Sequence, residues 1–72
     1  MSDIPEKLRI LLDYWIGHNR EHEEEFHQWA GRAALFSTEV ARYLAEAAAE
    51  MAASSRKLEK ARETLAKSKE GG

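Results

Sequence analysis

In the second half of the chain, Leu44, Met51, Leu58 and Leu65 recur every seven residues, and Val40, Ala47, Ser54 and Ala61 fill the complementary row. A sustained heptad of this kind marks a helix that buries one stripe against another helix. Ala41, Ala48 and Ser55 widen the small-residue strip, so that a neighbouring helix can approach closely. The first half repeats the pattern with an interruption. Leu8, Trp15, His22 and Trp29 form one row and Leu11, His18 and Glu25 the next, flanked by Leu12, Asn19 and Phe26. Both ends of that stripe are apolar and its middle is polar.

Punctuation divides the chain into two helices. Asp3-Ile4-Pro5-Glu6 reads as a start: Asp3 can cap orphan amides, proline tolerates the first turn, and Glu6 stands where a capping box places a carboxylate. Gly17 and Gly31 are weak points, each costing about 1 kcal/mol relative to alanine in a helix interior. Ser37-Thr38-Glu39 is the second start, a hydroxyl cap followed by an acid near the positive end of the helix dipole. One domain over 1–72 is expected, with a helix over 4–32, a turn over 33–37 and a helix over 38–69. Ser54-Ser55 could break the second helix in two, but the heptad passes through the serines without a change of phase. The fold class is all-α, a long antiparallel two-helix hairpin. A turn near Leu35 sets the His18–His22 turn opposite Ala47, Ala48 and Met51.

Some apolar residues fall outside this seam. Ile10, Tyr14 and Ile16 lie on another side of the first helix, and one partner helix cannot cover both sides. A chain of 72 residues is short of core in any case. A second copy covering Ile10, Tyr14 and Ile16 would make a dimeric four-helix bundle, so a homo-oligomer is expected.

Composition narrows the classes. No cysteine is present, which removes disulfides and thiolate chemistry. Charged residues make up 33% of the chain with a net charge of only -2, so there is no basic footprint for nucleic acid or an anionic membrane. The first residues lack a basic leader region and no apolar run reaches spanning length, from which a cytoplasmic location is expected.

The candidate chemistry lies in His18-Asn19-Arg20-Glu21-His22. Two imidazoles four residues apart project from one helical face in adjacent turns, close enough to share an ion, and Glu25 follows three residues later on the same side. His18, His22 and Glu25 are therefore the candidate metal ligands. Such a donor set suits a borderline divalent ion such as Zn, Ni or Co. Remaining positions would be filled by water, by Glu46 or Glu50 of the facing helix, or by a second copy. The alternative is a structural polar layer in which His18, Asn19 and His22 only fix helix register. The metalloprotease motif is absent, because Asn19 stands where the general-base Glu would be. His27 is rotated roughly 140° from His22 and belongs elsewhere. The hydroxyl residues read as caps or small core positions and no phosphate-cradling glycine loop exists, so no enzyme is expected.

Trp15, His18, Asn19, His22, Phe26, Trp29 and Ala30, followed by an Ala/Glu-rich helix, resemble a family of short prokaryotic helical domains without an assigned activity. Some members accompany a small nickel-binding maturation protein of carbon-monoxide dehydrogenase. The resemblance implies that His18 and His22 are a signature pair and shifts the expected ion toward nickel. It also implies a glycine before the second helix, where this chain has Leu35-Phe36-Ser37.

Overall fold

A computed structural model describes the backbone of residues 3–71 and the side chains of residues 3–67. Helix α1 spans Ile4–Ala33, helix α2 spans Thr38–Gly71, and the described residues contain no strand. The two helices pack as an antiparallel hairpin. The start of α1 differs from the expected capping box. Asp3 has φ -98° and ψ 17° and its side chain makes no cap hydrogen bond. Its carbonyl instead accepts the Lys7 amide at 3.0 Å, and the Glu6 carboxylate accepts from Arg9, each oxygen at 2.9 Å. The start of α2 follows its signal: Ser37 Oγ accepts the Val40 amide at 3.1 Å and satisfies an orphan donor of the first turn.

The turn over 34–37 is tight. Phe36 and Ser37 both donate their amides to the Ala33 carbonyl, at 3.0 and 2.8 Å. No described residue takes a positive φ. Leu35-Phe36-Ser37 therefore closes the hairpin without the glycine that the resemblance implied.

The seam is where the structure departs most from the pattern reading. On α1 the buried or half-buried row is Leu12, Ile16, Asn19, Glu23, Phe26, Ala30 and Ala33; on α2 it is Ala41, Leu44, Ala48, Met51, Ser55, Leu58, Arg62 and Leu65. The heptad of leucines and Met51 on α2 is thus an inner row, and the small strip of Ala41, Ala48 and Ser55 is its complement; of the expected complementary row Ala47 is half-buried, while Val40, Ser54 and Ala61 are exposed. On α1 the whole row of Trp15, His18, His22 and Trp29 is displaced by one residue, about 100° around the helix. Ala30 and Ala33 explain the choice: near the turn the helices are held close, and only small residues fit between them. Ala48 has no exposed surface.

Ile16 is consequently not an outward residue awaiting a second copy. It is 3% exposed and packs inside the hairpin with Leu12. Ile10 and Tyr14, 62% and 61% exposed, remain uncovered by α2. The helix register also differs from the expected one. Asn19 Nδ2 donates to Ser54 Oγ at 3.3 Å, and Arg62 donates to Asp13 at 2.7 Å. The histidine turn therefore lies level with Ser54, about one turn beyond the expected stretch of Ala47, Ala48 and Met51.

Helix α2 passes through Ser54-Ser55 without a break. The Ser55 hydroxyl is buried in the seam with no hydrogen-bond partner, an arrangement that costs about 1 kcal/mol or more. Ser55→Ala should raise stability by about 1 kcal/mol in a denaturant titration. A Cβ added at Gly17 or Gly31 would meet nothing within 4 Å, so Gly17→Ala and Gly31→Ala should each add up to about 1 kcal/mol through helix propensity. Loss of stability in either glycine variant would contradict the open surroundings described here.

Candidate functional site

Four rings stand at intervals of four along α1: Tyr14, His18, His22 and Phe26. Each step of four residues advances the side chain by about 40° beyond a full turn, so the ladder slants from the outer side of α1 at Tyr14 to the seam at Phe26. Neighbouring rings touch throughout. Tyr14 and His18 are stacked with centroids 5.5 Å apart and planes 11° from parallel. His18 and His22 meet edge to face at 4.4 Å and 83°. His22 and Phe26 stack at 5.8 Å and 22°. The two imidazoles are thus held between two carbocyclic rings, a bracket that restricts both.

Within the bracket the Nε2 atoms of His18 and His22 are 3.0 Å apart, a hydrogen-bond distance in which one ring donates and the other accepts. Glu25 is on the other side of the His22 ring. Its Oε1 lies 3.5 Å from His22 Nδ1, so it contacts the nitrogen that faces away from His18. The structure brings His18 and His22 together and leaves Glu25 outside the space between them. Among the described residues no group of three or more His, Asp or Glu side chains converges as a metal site. Glu46 and Glu50 therefore do not complete the pair within one chain. His27 lies apart, beside a groove lined by Arg20, Glu23, Glu24 and Gln28.

The pair does not sit in the hairpin core. His22 is half-buried and His18 is exposed, while Asn19, between them in sequence, points into the seam and reaches Ser54. The expected layer of His18, Asn19 and His22 is split, one member joining the helices and two facing outward. Tyr14 was assigned only to an interface by the sequence reading; the strict four-residue spacing of the rings was the signal that it supports His18.

The surroundings of the pair are mixed: on one side His22 borders a groove lined by Glu21, Glu24, Glu25 and Gln28, and along the helix the neighbours are apolar. Leu8, Leu11, Trp15 and Trp29 occupy the same row as His18 and His22, and Trp15 and Trp29 are 38% and 53% exposed. On α2, Val40, Ala47, Ser54 and Ala61 stand one residue back from the inner row in the same way. Because the helices run in opposite directions, a rotation of one residue back turns both rows toward the same face of the hairpin. The opposite face is polar and tied by ion pairs, Arg20 with Glu59 and Asp13 with Arg62.

Fold and site together define a small two-helix hairpin with one ion-paired face and one apolar face centred on a histidine pair. The chain matches the family described as "Domain of unknown function (DUF8180)" over residues 8–65 and belongs to it. It is also similar to a protein of Archaeoglobus fulgidus named "Uncharacterized protein", 42% identical over 43 residues, which are 60% of this chain and 69% of that one. No solved structure matches.

The Asn19–Ser54 hydrogen bond is the neutral polar link between the helices at the level of the site, beside the Arg20–Glu59 ion pair. Its coupling in a double-mutant cycle of Asn19→Ala and Ser54→Ala should be about 0.5–1 kcal/mol, as expected for a neutral pair. A coupling of zero would mean that Asn19 does not set the register.

Proposed function

We propose that this protein is a non-catalytic, self-associating helical module of the cytoplasm, in which a second copy covers the apolar face and completes a four-helix bundle. The observation that carries this reading is the uncovered row of Leu8, Leu11, Trp15 and Trp29 beside a polar opposite face. The hairpin alone has little core. Among the described residues the buried apolar ones are Leu12, Ile16, Ala33 and Ala48, and no large side chain is fully buried. A chain of this size needs help from an additional interface.

A second copy fits the face better than an unrelated partner because the face is self-complementary. Bulky residues line its α1 side, and on its α2 side the small residues Ala47, Ser54 and Ala61 alternate with Glu50, Lys57 and Thr64. A twofold axis parallel to the helices lays each bulky row over the partner's small row, the isologous solution. The exposed apolar row runs from Leu8 to Trp29, about 32 Å along α1 at about 1.5 Å per residue. The resemblance to helical domains that accompany a nickel-binding maturation protein of carbon-monoxide dehydrogenase makes metal handling the setting in which such a module would serve.

Sedimentation over a range of micromolar concentrations should show a dimer. Leu11→Glu or Trp15→Glu should shift it to monomer, with tryptophan emission moving to the red. Glu24→Lys, on the polar face, should leave the assembly unchanged. A parent chain that stays folded and monomeric at every concentration overturns the proposal.

A further inference from the structure

We infer that the Nε2 atoms of His18 and His22 form a two-imidazole site for one borderline divalent cation, of the class of zinc or nickel, on each chain. Separation is the first argument. Zinc holds imidazole nitrogen at about 2.0–2.1 Å, so two such ligands at coordination angles between about 90° and 110° lie about 2.9–3.4 Å apart. The two Nε2 atoms are 3.0 Å apart, and a shared ion takes the place of the hydrogen bond between them with little movement of either ring. The ring bracket is the second argument. Tyr14 against His18 and Phe26 against His22 hold the imidazoles on a continuous helix, so little ordering remains to be done when an ion binds.

The position of Glu25 gives the third argument and changes its role from the one read in the sequence. A carboxylate on the far nitrogen of a metal-bound imidazole favours the tautomer whose other nitrogen is free to ligate. Glu25 Oε1 is 3.5 Å from His22 Nδ1, on the edge turned away from His18, where a small side-chain movement makes it an orienting group rather than a ligand. In the single chain the remaining coordination positions are open to water, His18 being exposed and His22 half-buried; in the dimer proposed above they face the partner copy. All-nitrogen donation from neutral imidazoles selects borderline ions over Mg or Ca, which require oxygen ligands.

This inference goes beyond self-association and does not depend on it, since both ligands belong to one chain. Zinc chloride, and separately nickel chloride, are titrated into untagged protein by calorimetry, with melting temperature followed in parallel. One ion per chain is expected, with a rise in melting temperature that saturates with free metal. His18→Ala and His22→Ala should each weaken binding at least tenfold, Glu25→Gln about tenfold, and His27→Ala not at all; circular dichroism confirms that each remains helical. Leu11→Glu should bind as the parent does if it is monomeric, which separates a failure of this site from a failure of the dimer. A flat isotherm for the parent, or equal binding by the parent and His18→Ala, overturns the inference and assigns any residual uptake to the acidic surface around Glu21, Glu23 and Glu24.

Discussion

The constraint that organises this molecule is that α1 carries two heptad rows one residue apart, and a single antiparallel partner can bury only one. Leu12, Ile16, Phe26, Ala30 and Ala33 take that place against α2. Leu8, Leu11, Trp15, His18, His22 and Trp29 are left on an adjoining face. Both rows have the seven-residue period, so periodicity alone does not rank them. What ranks them is size: a short turn holds the helices close, and alanines at positions 30, 33, 41 and 48 accept that closeness where tryptophan would not.

Side-chain size also decides how much of the fold was legible in the sequence. The hairpin, its turn and the Ser37 cap follow from signals that act locally, a hydroxyl before an acidic helix start and an absence of breakers within the helices. Leu44, Met51, Leu58 and Leu65 are read correctly as an inner row because on α2 the leucine row has no apolar rival. On α1 the aromatic row was the more conspicuous, and the sequence reading therefore turned Trp15 and the histidines inward and Ile16 outward. A one-residue slip of this kind moves every side chain by about 100° and exchanges inside for outside. The Asp3 cap failed for a different reason: with Pro5 and Glu6 following, the chain enters the helix with Asp3 outside the extended conformation that a side-chain cap requires.

The histidine pair was legible as a pair and not as a site. Spacing of four places two imidazoles on one face, and the 3.0 Å approach of their Nε2 atoms fulfils that. Spacing of three suggested that Glu25 would join them. Yet an imidazole has two nitrogens on different edges, and a helix can deliver a carboxylate to either. Only coordinates show that Glu25 reaches the edge turned away from His18. The rings at Tyr14 and Phe26 add a constraint that a search for ligand types overlooks, because neither offers a donor to a metal.

The asymmetry of the two faces bears on what kind of assembly this chain can form. A hairpin apolar on both faces would stack without limit, each added copy presenting a fresh surface. Here one face is apolar and the other holds Arg20, Glu59, Asp13 and Arg62 in ion pairs, which cost desolvation if a second copy covered them. An isologous contact uses the apolar face of both partners and leaves the ion-paired faces outward, so the proposed assembly closes at two. The histidines lie near the midpoint of α1, within that contact. Burial there would place the two imidazoles of each chain in a drier setting than the open hairpin offers, where the difference between paired and unpaired polar groups is largest.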